Sequence, residues 1–321
     1  MRYILILVLL IFIILSCTTD MTVEPKIYET PPKIAFFSDM RQRYGHWFIT
    51  DDVYTINPNG SGLERIPIQY YLTDISSHSL RWTPDGNSIL IFEWTDYASH
   101  WRNINIFRDN DYQLINESGH SNILDYDFFS DGSKMIFIRR DGWEADYRGI
   151  YISDKNGENI TTIIETQMEI TSFSLSQDNK YVAYSRNSDD EDESGDLYII
   201  SIENKEIERL TFNSSNDFNP DWSPDGTKIA YVSNRYGNNE IFVYDFFNKT
   251  NTQITQNFGD TDNPSWAPDG SKIAFDTDRD GNREIYKMNP DGTNRVNLTN
   301  NIYNDVNPEW SPLIVNQTKK Y

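Results

Sequence analysis

The sequence has one cysteine, Cys17, among its 321 residues, so no intramolecular disulfide can form and stability must come from the core. The chain is also poor in positive charge, with 28 basic residues against 49 acidic ones and a formal net charge of -21. Such a surface repels nucleic acid and anionic lipid head groups, so we expect no nucleic-acid partner. The acidity also has a simpler role, because it keeps strand edges apart and a β-rich chain in solution.

Familiar catalytic and metal-binding signatures are missing as well. The chain has no G-x-S-x-G nucleophile elbow and no H-E-x-x-H motif. The stretch 276–281, D-T-D-R-D-G, resembles the start of a calcium loop, but its twelfth position is Lys287 rather than glutamate. We therefore expect no catalytic residue, no metal and no cofactor, and a binding protein rather than an enzyme.

The N-terminus has the features of a secretory signal. Arg2 precedes an apolar run of twelve residues, Ile4 to Leu15, which is too short for a bilayer-spanning helix of about 20 residues. The run ends in I-L-S-C at 14–17, which resembles a bacterial lipobox, whose cysteine becomes acylated. The sequence thus predicts a signal peptide over 1–16, with an ordinary cleaved signal or an uncleaved anchor as the alternatives.

Acylation would make Cys17 a membrane anchor. Residues 17–32 then form a lipidated cysteine followed by a polar, proline-containing tether. Thr18 is not the aspartate that often retains lipoproteins at the inner membrane. We therefore expect the bacterial cell envelope, with the lipid anchor in the outer membrane facing the periplasm or the cell surface. The anchor would be the protein's contact with the membrane.

A five-residue motif, W-[S/T/A]-P-D-G, recurs through the rest of the chain. It stands at Trp82–Gly86, Trp222–Gly226 and Trp266–Gly270, with degenerate copies at 128–132 and 175–179 and a truncated W-S-P at 310–312. Successive copies lie 44 to 47 residues apart, the period of a four-stranded propeller blade. Because the tryptophans keep the phase of the repeat, they are predicted to pack in the core.

Strand-like alternation follows each motif, and the two ends of the chain complete one repeat. Lys33–Phe37 and Val53–Asn57 match the second and third strands of a unit, and the last W-S-P supplies an innermost strand. The sequence therefore predicts an all-β fold over 33–315, a six-bladed β-propeller of four-stranded antiparallel blades. Its closing blade is shared between the N- and C-terminal segments, and 316–321 is a C-terminal tail.

The last repeats carry a family resemblance. N-P-D-W-S-P-D-G-T-K-I-A-Y at 219–231, N-P-S-W-A-P-D-G-S-K-I-A-F at 263–275 and D-R-D-G-N-R-E-I-Y at 278–286 resemble the WD40-like repeat of the TolB-like β-propeller family. The resemblance implies the propeller fold. TolB itself is a periplasmic protein that binds peptide segments and envelope lipoproteins and is not an enzyme. Related propellers also occur in peptidases and polysaccharide lyases.

In such a propeller the tight P-D-G turns lie on one face, the turn face. The second-to-third strand loops and the connections between blades lie on the opposite face, the loop face, where function usually resides. Arginine and aromatic residues are enriched in the early loops of that face, as in binding hot spots. The predicted ligand- or partner-binding residues are Arg41, Arg43, Tyr44, His46, Trp47, His78, Trp94, Tyr97, His100, Trp101, Arg139, Arg140 and Trp143.

Three functions fit these residues. The first is an envelope lipoprotein that binds a protein or peptide partner at the loop face and the channel mouth, as a monomer. The second is a carbohydrate-binding or polysaccharide-lyase-like propeller that uses the same tryptophan, histidine and arginine side chains on a glycan. The third is a purely structural role, in which these rings pack the loops together. Fold class alone does not choose among them.

Overall fold

Short strands make up the secondary structure of the chain in the computed structural model. It describes residues 31–40, 52–66, 79–92, 104–108, 111–115, 122–141, 147–155, 157–187, 194–256 and 258–313. These ranges hold twenty-four strands. Within them there is no helix with the length and apolar character that crossing a membrane requires.

The strands follow one another in groups of four. The first eight are β1 (Ile34–Ser38), β2 (Asp52–Ile56), β3 (Glu64–Ile66), β4 (Ser79–Trp82), β5 (Ser88–Phe92), β6 (Ile104–Arg108), β7 (Asp111–Ile115) and β8 (Asn122–Phe128). The next eight are β9 (Lys134–Asp141), β10 (Tyr147–Asp154), β11 (Thr161–Thr166), β12 (Ile170–Leu175), β13 (Tyr181–Asn187), β14 (Gly195–Ser201), β15 (Ile207–Arg209) and β16 (Asp217–Trp222). The last eight are β17 (Lys228–Tyr236), β18 (Asn238–Asp245), β19 (Thr250–Gln253), β20 (Thr261–Trp266), β21 (Ile273–Thr277), β22 (Glu284–Met288), β23 (Val296–Asn297) and β24 (Asp305–Trp310).

Six four-stranded antiparallel sheets form within the described residues, and each is one blade of a propeller. Blade 1 has the order β24-β1-β2-β3, and blades 2 to 6 take the remaining strands in sequence from β4-β5-β6-β7 to β20-β21-β22-β23. In blade 1, Ile34 lies opposite Trp310, so the last strand of the chain pairs with the first. The predicted fold class and the shared closing blade are confirmed.

The P-D-G motif forms the turn that its residues predict. In blade 5 the N–H of Gly226 donates to the carbonyl of Ser223 at 2.8 Å, with Pro224 between them in the position that suits its fixed φ. The Asp225 carboxylate then accepts from the hydroxyl of Ser223 at 2.6 Å and from the N–H of Thr227 at 3.0 Å. The turn is therefore closed by backbone and side chain together.

The innermost strands of blades 5, 6 and 1 share an asparagine–proline bulge. Asn219, Asn263 and Asn307 each have a positive φ, near 50°, a region that asparagine tolerates better than most residues. Each is followed by a proline, which has no N–H for the ladder, and the register of each strand shifts at this point. The bulge bends each innermost strand where it borders the centre of the ring.

The core lies between neighbouring blades rather than within one sheet. At the boundary of blades 5 and 6, Ile241 and Val243 pack in one cluster with Trp266 and Phe275. The turn tryptophans Trp222, Trp266 and Trp310 are between 6% and 8% exposed, as the repeat phase predicts. Full burial of one such large side chain stabilises a fold by about 1.5–3 kcal/mol, so the blades are held mainly by these boundary clusters.

A leucine or isoleucine followed by a threonine, called an L-T pair here, stands just beyond the fourth strand of blades 4, 5 and 6, at Leu210-Thr211, Ile254-Thr255 and Leu298-Thr299. Its threonine ties the end of the blade to the third strand. The Thr211 hydroxyl accepts from the N–H of Leu197 at 3.0 Å, and Thr255 accepts from Ile241 at 2.7 Å in the next blade. Thr299 accepts from Ile285 at 3.1 Å in blade 6. Just beyond the fourth strand, the hydroxyl accepts the hydrogen bond that a backbone carbonyl would accept if the strand continued. The chain then begins its connection to the next blade across the loop face.

Candidate functional site: the central channel and its loop-face mouth

A cavity of about 700 Å³ occupies the centre of the ring. Residues from the innermost strand of every blade border it, as expected when six blades surround one axis. The volume is in the range of small-ligand and peptide side-chain pockets. Its wall contains carboxylates, amides, two arginines and three prolines, so it is a polar channel with apolar strips.

One layer of the channel is formed by the residue that precedes the tryptophan position of each repeat. This set, called the ring layer here, lies at the turn-face end of the innermost strands and consists of Arg81, Asp127, Ser174, Asp221, Ser265 and Glu309. Because these positions are equivalent in six repeats, the same location can be compared six times within one molecule.

Most ring-layer side chains connect adjacent blades. The Ser174 hydroxyl accepts from the N–H of Trp222 at 3.2 Å, and the Asp221 carboxylate accepts from the N–H of Trp266 at 2.6 Å. Ser265 accepts from the N–H of Trp310 at 3.3 Å. Asp127 accepts a backbone hydrogen bond from Leu175 in the same way. Each of these four side chains thus satisfies a backbone donor of the next blade.

Arg81 fills its ring-layer position differently, since it cannot accept a hydrogen bond. Its guanidinium lies 3.4 Å from the carboxylate of Asp125 and 3.9 Å from that of Glu309, and it donates to its neighbour's carbonyl, Leu80 O, at 2.9 Å. Burial works against its charge, but the surrounding carboxylates outweigh burial and raise the pKa of Arg81 above its ordinary value. Arg81 is therefore a fixed cation.

Burial also acts on the acidic members of the layer. It raises the pKa of Asp127 to about 6, that of Asp221 to about 7 and that of Glu309 to about 8, and attraction to Arg81 offsets only part of this. Loss of hydration disfavours the charged carboxylate, and the other acids of the layer repel it. This half of the channel thus has more buried acidic groups than its single arginine can neutralise.

The other end of the channel opens towards the loop face through a connected polar network. The Asn219 amide donates to Asn263 at 2.9 Å, and the Asn263 amide donates to Asp276 at 2.8 Å. Arg283 is paired with Asp276 and, at 2.8 Å, with Asp262, and these carboxylates raise the pKa of Arg283 against the opposing effect of burial. The network joins blades 5 and 6 at the channel mouth.

The D-T-D-R-D-G stretch does not bring its three carboxylates together. Asp276 pairs with Arg283 in the channel wall, Asp278 accepts from the N–H of Asp260 at 2.9 Å, and Asp280 accepts from the hydroxyl of Tyr286. Across the described ranges, no group of three or more histidine, cysteine, aspartate or glutamate side chains is arranged to hold a metal ion.

Two of the predicted binding residues, Arg139 and Arg140, lie at the loop-face end of β9. The Arg139 guanidinium stacks over the ring of Tyr151 at 4.2 Å from its centroid, and the Tyr151 hydroxyl donates to Glu165 at 2.9 Å. Gly149 makes room for this stack, because a Cβ there would stand 2.6 Å from the Tyr151 ring. One face of Arg139 is thus used inside its own blade.

The other predicted residues lie outside the described part of the chain. They are Arg41, Arg43, Tyr44, His46, Trp47, His78, Trp94, Tyr97, His100, Trp101 and Trp143, together with the predicted lipidation site Cys17. Their role in binding stays a prediction.

Three exposed apolar side chains on the loop face escaped the sequence analysis. Phe212 is 75% exposed, Tyr236 is 73% exposed and Ile302 is 84% exposed. Phe212 and Ile302 follow L-T pairs in the connections between blades, and Tyr236 ends the second strand of blade 5. Alignment of the repeats places apolar residues in these loops, so the sequence could have indicated them. The predicted binding residues were instead taken from the early loops, which contain more tryptophans.

Comparison with known proteins gives one consistent result. Residues 125–316 match the family model described as the TolB beta propeller domain. The Tol-Pal system protein TolB of Alcanivorax borkumensis is 31% identical over 105 residues, which cover 33% of this chain but only 24% of that protein.

Solved structures agree on the fold. The crystal structure of TolB from Acinetobacter baumannii matches with a TM-score of 0.69 at 21% identity, covering 88% of this chain and 67% of that one. A putative TolB from Agrobacterium tumefaciens matches with a TM-score of 0.63 at 18% identity, covering 84% and 89% of the two chains. Since the family model spans more than half of the sequence, this chain belongs to the TolB β-propeller domain family.

Proposed function

We propose that this chain is a bacterial envelope lipoprotein whose propeller binds a protein or peptide partner, without catalysis, through its loop face and the channel mouth. The observation that carries the proposal is the exposure of Phe212, Tyr236 and Ile302 on the loop face. Phe247 is exposed on the turn face too, but large apolar side chains left in water on the face where a channel opens are typical of a surface that becomes covered by a partner. The polar channel opens on the same face and can admit a segment of that partner.

The relatives support an envelope partner. The Alcanivorax protein is named as a component of the Tol-Pal system, and we extend to this chain an association with envelope proteins. The lipobox-like residues 14–17 support an anchor at Cys17, which would hold the propeller at the outer membrane. Replacement of Cys17 by alanine should then move the protein from the membrane fraction to the soluble periplasmic fraction.

A photo-crosslinking amino acid placed in living cells tests the binding face. Incorporation at Tyr236 or Phe212 should give a discrete crosslinked protein product. The matched control is Phe247, which is 92% exposed but lies in the β18–β19 hairpin on the turn face. Competition is the second criterion: Phe212→Asp should remove the crosslink from Tyr236, whereas Phe247→Asp should not.

Other outcomes would replace the proposal. Equal crosslinking from Phe247 and Tyr236 would mean that the loop face is not the binding surface. Selective binding of the purified protein to a glycan, or new reducing ends in a glycan mixture, would favour a saccharide-active propeller on the same face. If no position on the loop face gave a crosslinked product, a purely structural role for the propeller would be favoured.

A further inference from the structure

Glu309 is the exception in the ring layer. The equivalent aspartates and serines accept a backbone hydrogen bond from the next blade, and Arg81 is held by Asp125. The Glu309 carboxylate accepts no hydrogen bond from any described residue, and its ion pair with Arg81 is long, at 3.9 Å. Its side chain is 29% exposed, and it borders the cavity.

The chain departs from its own repeat at this position. Asp221 and Ser265 have short side chains that stay against the channel wall and meet the N–H of the next tryptophan at 2.6 and 3.3 Å. Glutamate is one methylene longer than aspartate, and at Glu309 no such bond to the following blade is made; instead the indole of Trp82 donates to the backbone carbonyl of Glu309 at 3.2 Å. The contact of the Glu309 carboxylate with blade 2 is therefore the long ion pair with Arg81 and not a hydrogen bond to the backbone.

The surroundings specify what an acid at this place can bind. Four carboxylates face one guanidinium here, because Arg81 is shared by Asp125 and Glu309 and interacts more weakly with Asp127 and Asp221. A buried carboxylate without a full partner is unfavourable, and a second cation would relieve it. An anion entering this half of the channel would meet repulsion from each of these carboxylates that is ionised, whereas a cation would favour the ionised form of Glu309.

The wall leading to Glu309 fits an unbranched aliphatic stem. Pro220, Pro264 and Pro308 line the cavity next to the ring layer. These residues offer apolar surface to methylene groups, while Glu309 offers a charge at the end. Long basic side chains have this division, with an apolar stem and a charged head.

We propose that Glu309 receives the ammonium group of a lysine side chain that a partner segment inserts into the channel from the loop face. The inference rests on the proposed function, because it takes the ligand to be part of a protein partner. It makes Glu309 the specificity-determining residue for a basic side chain. Asp127 and Asp221 serve mainly to join the blades.

Calorimetry on the full chain with two capped pentapeptides, Ac-AAKAA-NH2 and its norleucine analogue, tests the assignment. The two peptides share their backbone and nearly all of their stem, so they differ in the charge that Glu309 would contact. We expect the wild-type chain to bind the lysine peptide at least about tenfold more tightly, which corresponds to about 1.4 kcal/mol. Glu309→Gln and Glu309→Ser should abolish this preference, and serine is already tolerated at the equivalent position of blades 4 and 6.

Glu206→Gln is the charge-matched control, because Glu206 is exposed in a turn-face hairpin outside the channel. It should keep the preference for lysine. Equal binding of the two peptides by the wild-type chain, or an unchanged lysine preference in Glu309→Gln, would overturn the assignment. Crosslinking from Tyr236 separates the two proposals: a Glu309→Gln chain that still crosslinks leaves the partner-binding function standing.

Discussion

The carboxylate of Asp221 in blade 5 accepts a hydrogen bond of 2.6 Å from the backbone N–H of Trp266 in blade 6, and so joins two sheets that share no strand ladder. The same side chain borders the channel and has a pKa raised by burial to about 7. A residue of this kind looks like a ligand-binding acid in the sequence, but its geometry gives it a structural role.

Replacement of Asp221 tests that structural role. Asp221→Ala leaves the N–H of Trp266 without its acceptor, so we expect a loss of about 1–3 kcal/mol in the free energy of unfolding. Asp221→Ser should lose much less, because Ser174 and Ser265 already accept the equivalent bond in their blades. Urea unfolding of both variants measures the difference, and equal losses would show that the bond does not matter.

The channel acids predict how stability depends on pH. Burial raises the pKa of Asp127, Asp221 and Glu309 to about 6, 7 and 8, above the value of about 4 in an unfolded chain. Between pH 8 and pH 5 the folded state therefore binds more protons than the unfolded state, and stability should rise as the pH falls through this window.

A combined Asp127→Asn, Asp221→Asn and Glu309→Gln variant is the control for the pH dependence. It has no titrating carboxylate at the three positions, so its midpoint of urea unfolding should change less between pH 8 and pH 5 than that of the wild-type chain. If the two chains show the same slope, the titration that governs stability lies elsewhere in the molecule.

Two buried tyrosines at the same repeat position of blades 4 and 5 should respond differently to loss of the hydroxyl. Tyr231 donates to Asn251 at 2.7 Å and accepts from Arg235 at 3.0 Å. Tyr184 is fully buried, and no described residue bonds to its hydroxyl. We expect Tyr231→Phe to lose about 1–2 kcal/mol and Tyr184→Phe to lose nothing or gain slightly. Thermal and urea unfolding compare them, and a clear loss in Tyr184→Phe would indicate a bound water at that hydroxyl.

Lys205 is held in a conformation that costs free energy. It lies in the hairpin between β14 and β15 with a φ of 62°, a left-handed value that side chains with a Cβ disfavour. Lys205→Gly should therefore raise stability by about 0.5–1 kcal/mol. Glu206→Gly, one position later, is the control and should lower stability, because Glu206 has no positive φ. A loss in both variants would contradict the strain at Lys205.

Much of the architecture could be predicted because it depends on local, repeated chemistry. The P-D-G turns, the strand alternation and the 44–47-residue spacing each act over a few residues and recur in phase, so six blades and the shared closing blade followed from the sequence. The roles of other residues could not be predicted, because those roles depend on contacts between residues that are distant in sequence. The L-T pairs were visible as a repeat, but their function of accepting a third-strand N–H, as Thr255 does from Ile241, needed the folded blade.

The binding surface was the least predictable part. The sequence analysis chose loops by their density of arginine and aromatic residues, and of those choices the described ranges hold only Arg139 and Arg140, the first of which stacks on Tyr151. Exposure could not be deduced from composition: Phe258 and Ile302 stand at equivalent places after an L-T pair, yet Phe258 is 7% exposed beneath Arg279 and Ile302 is 84% exposed. What covers a loop residue depends on the neighbouring loop.

By itself the sequence determined the fold class, the number of blades, the closing of the ring by the two ends and the position of the tryptophans in the core. These depend on turn chemistry and on the period of the apolar residues, which act within one repeat. Only the tertiary structure decided which ring-layer acids accept a backbone hydrogen bond from the next blade and which one, Glu309, does not. Side chains about 45 residues apart meet only when neighbouring blades pack, and Arg81 and Glu309 meet only when the last strand closes the ring.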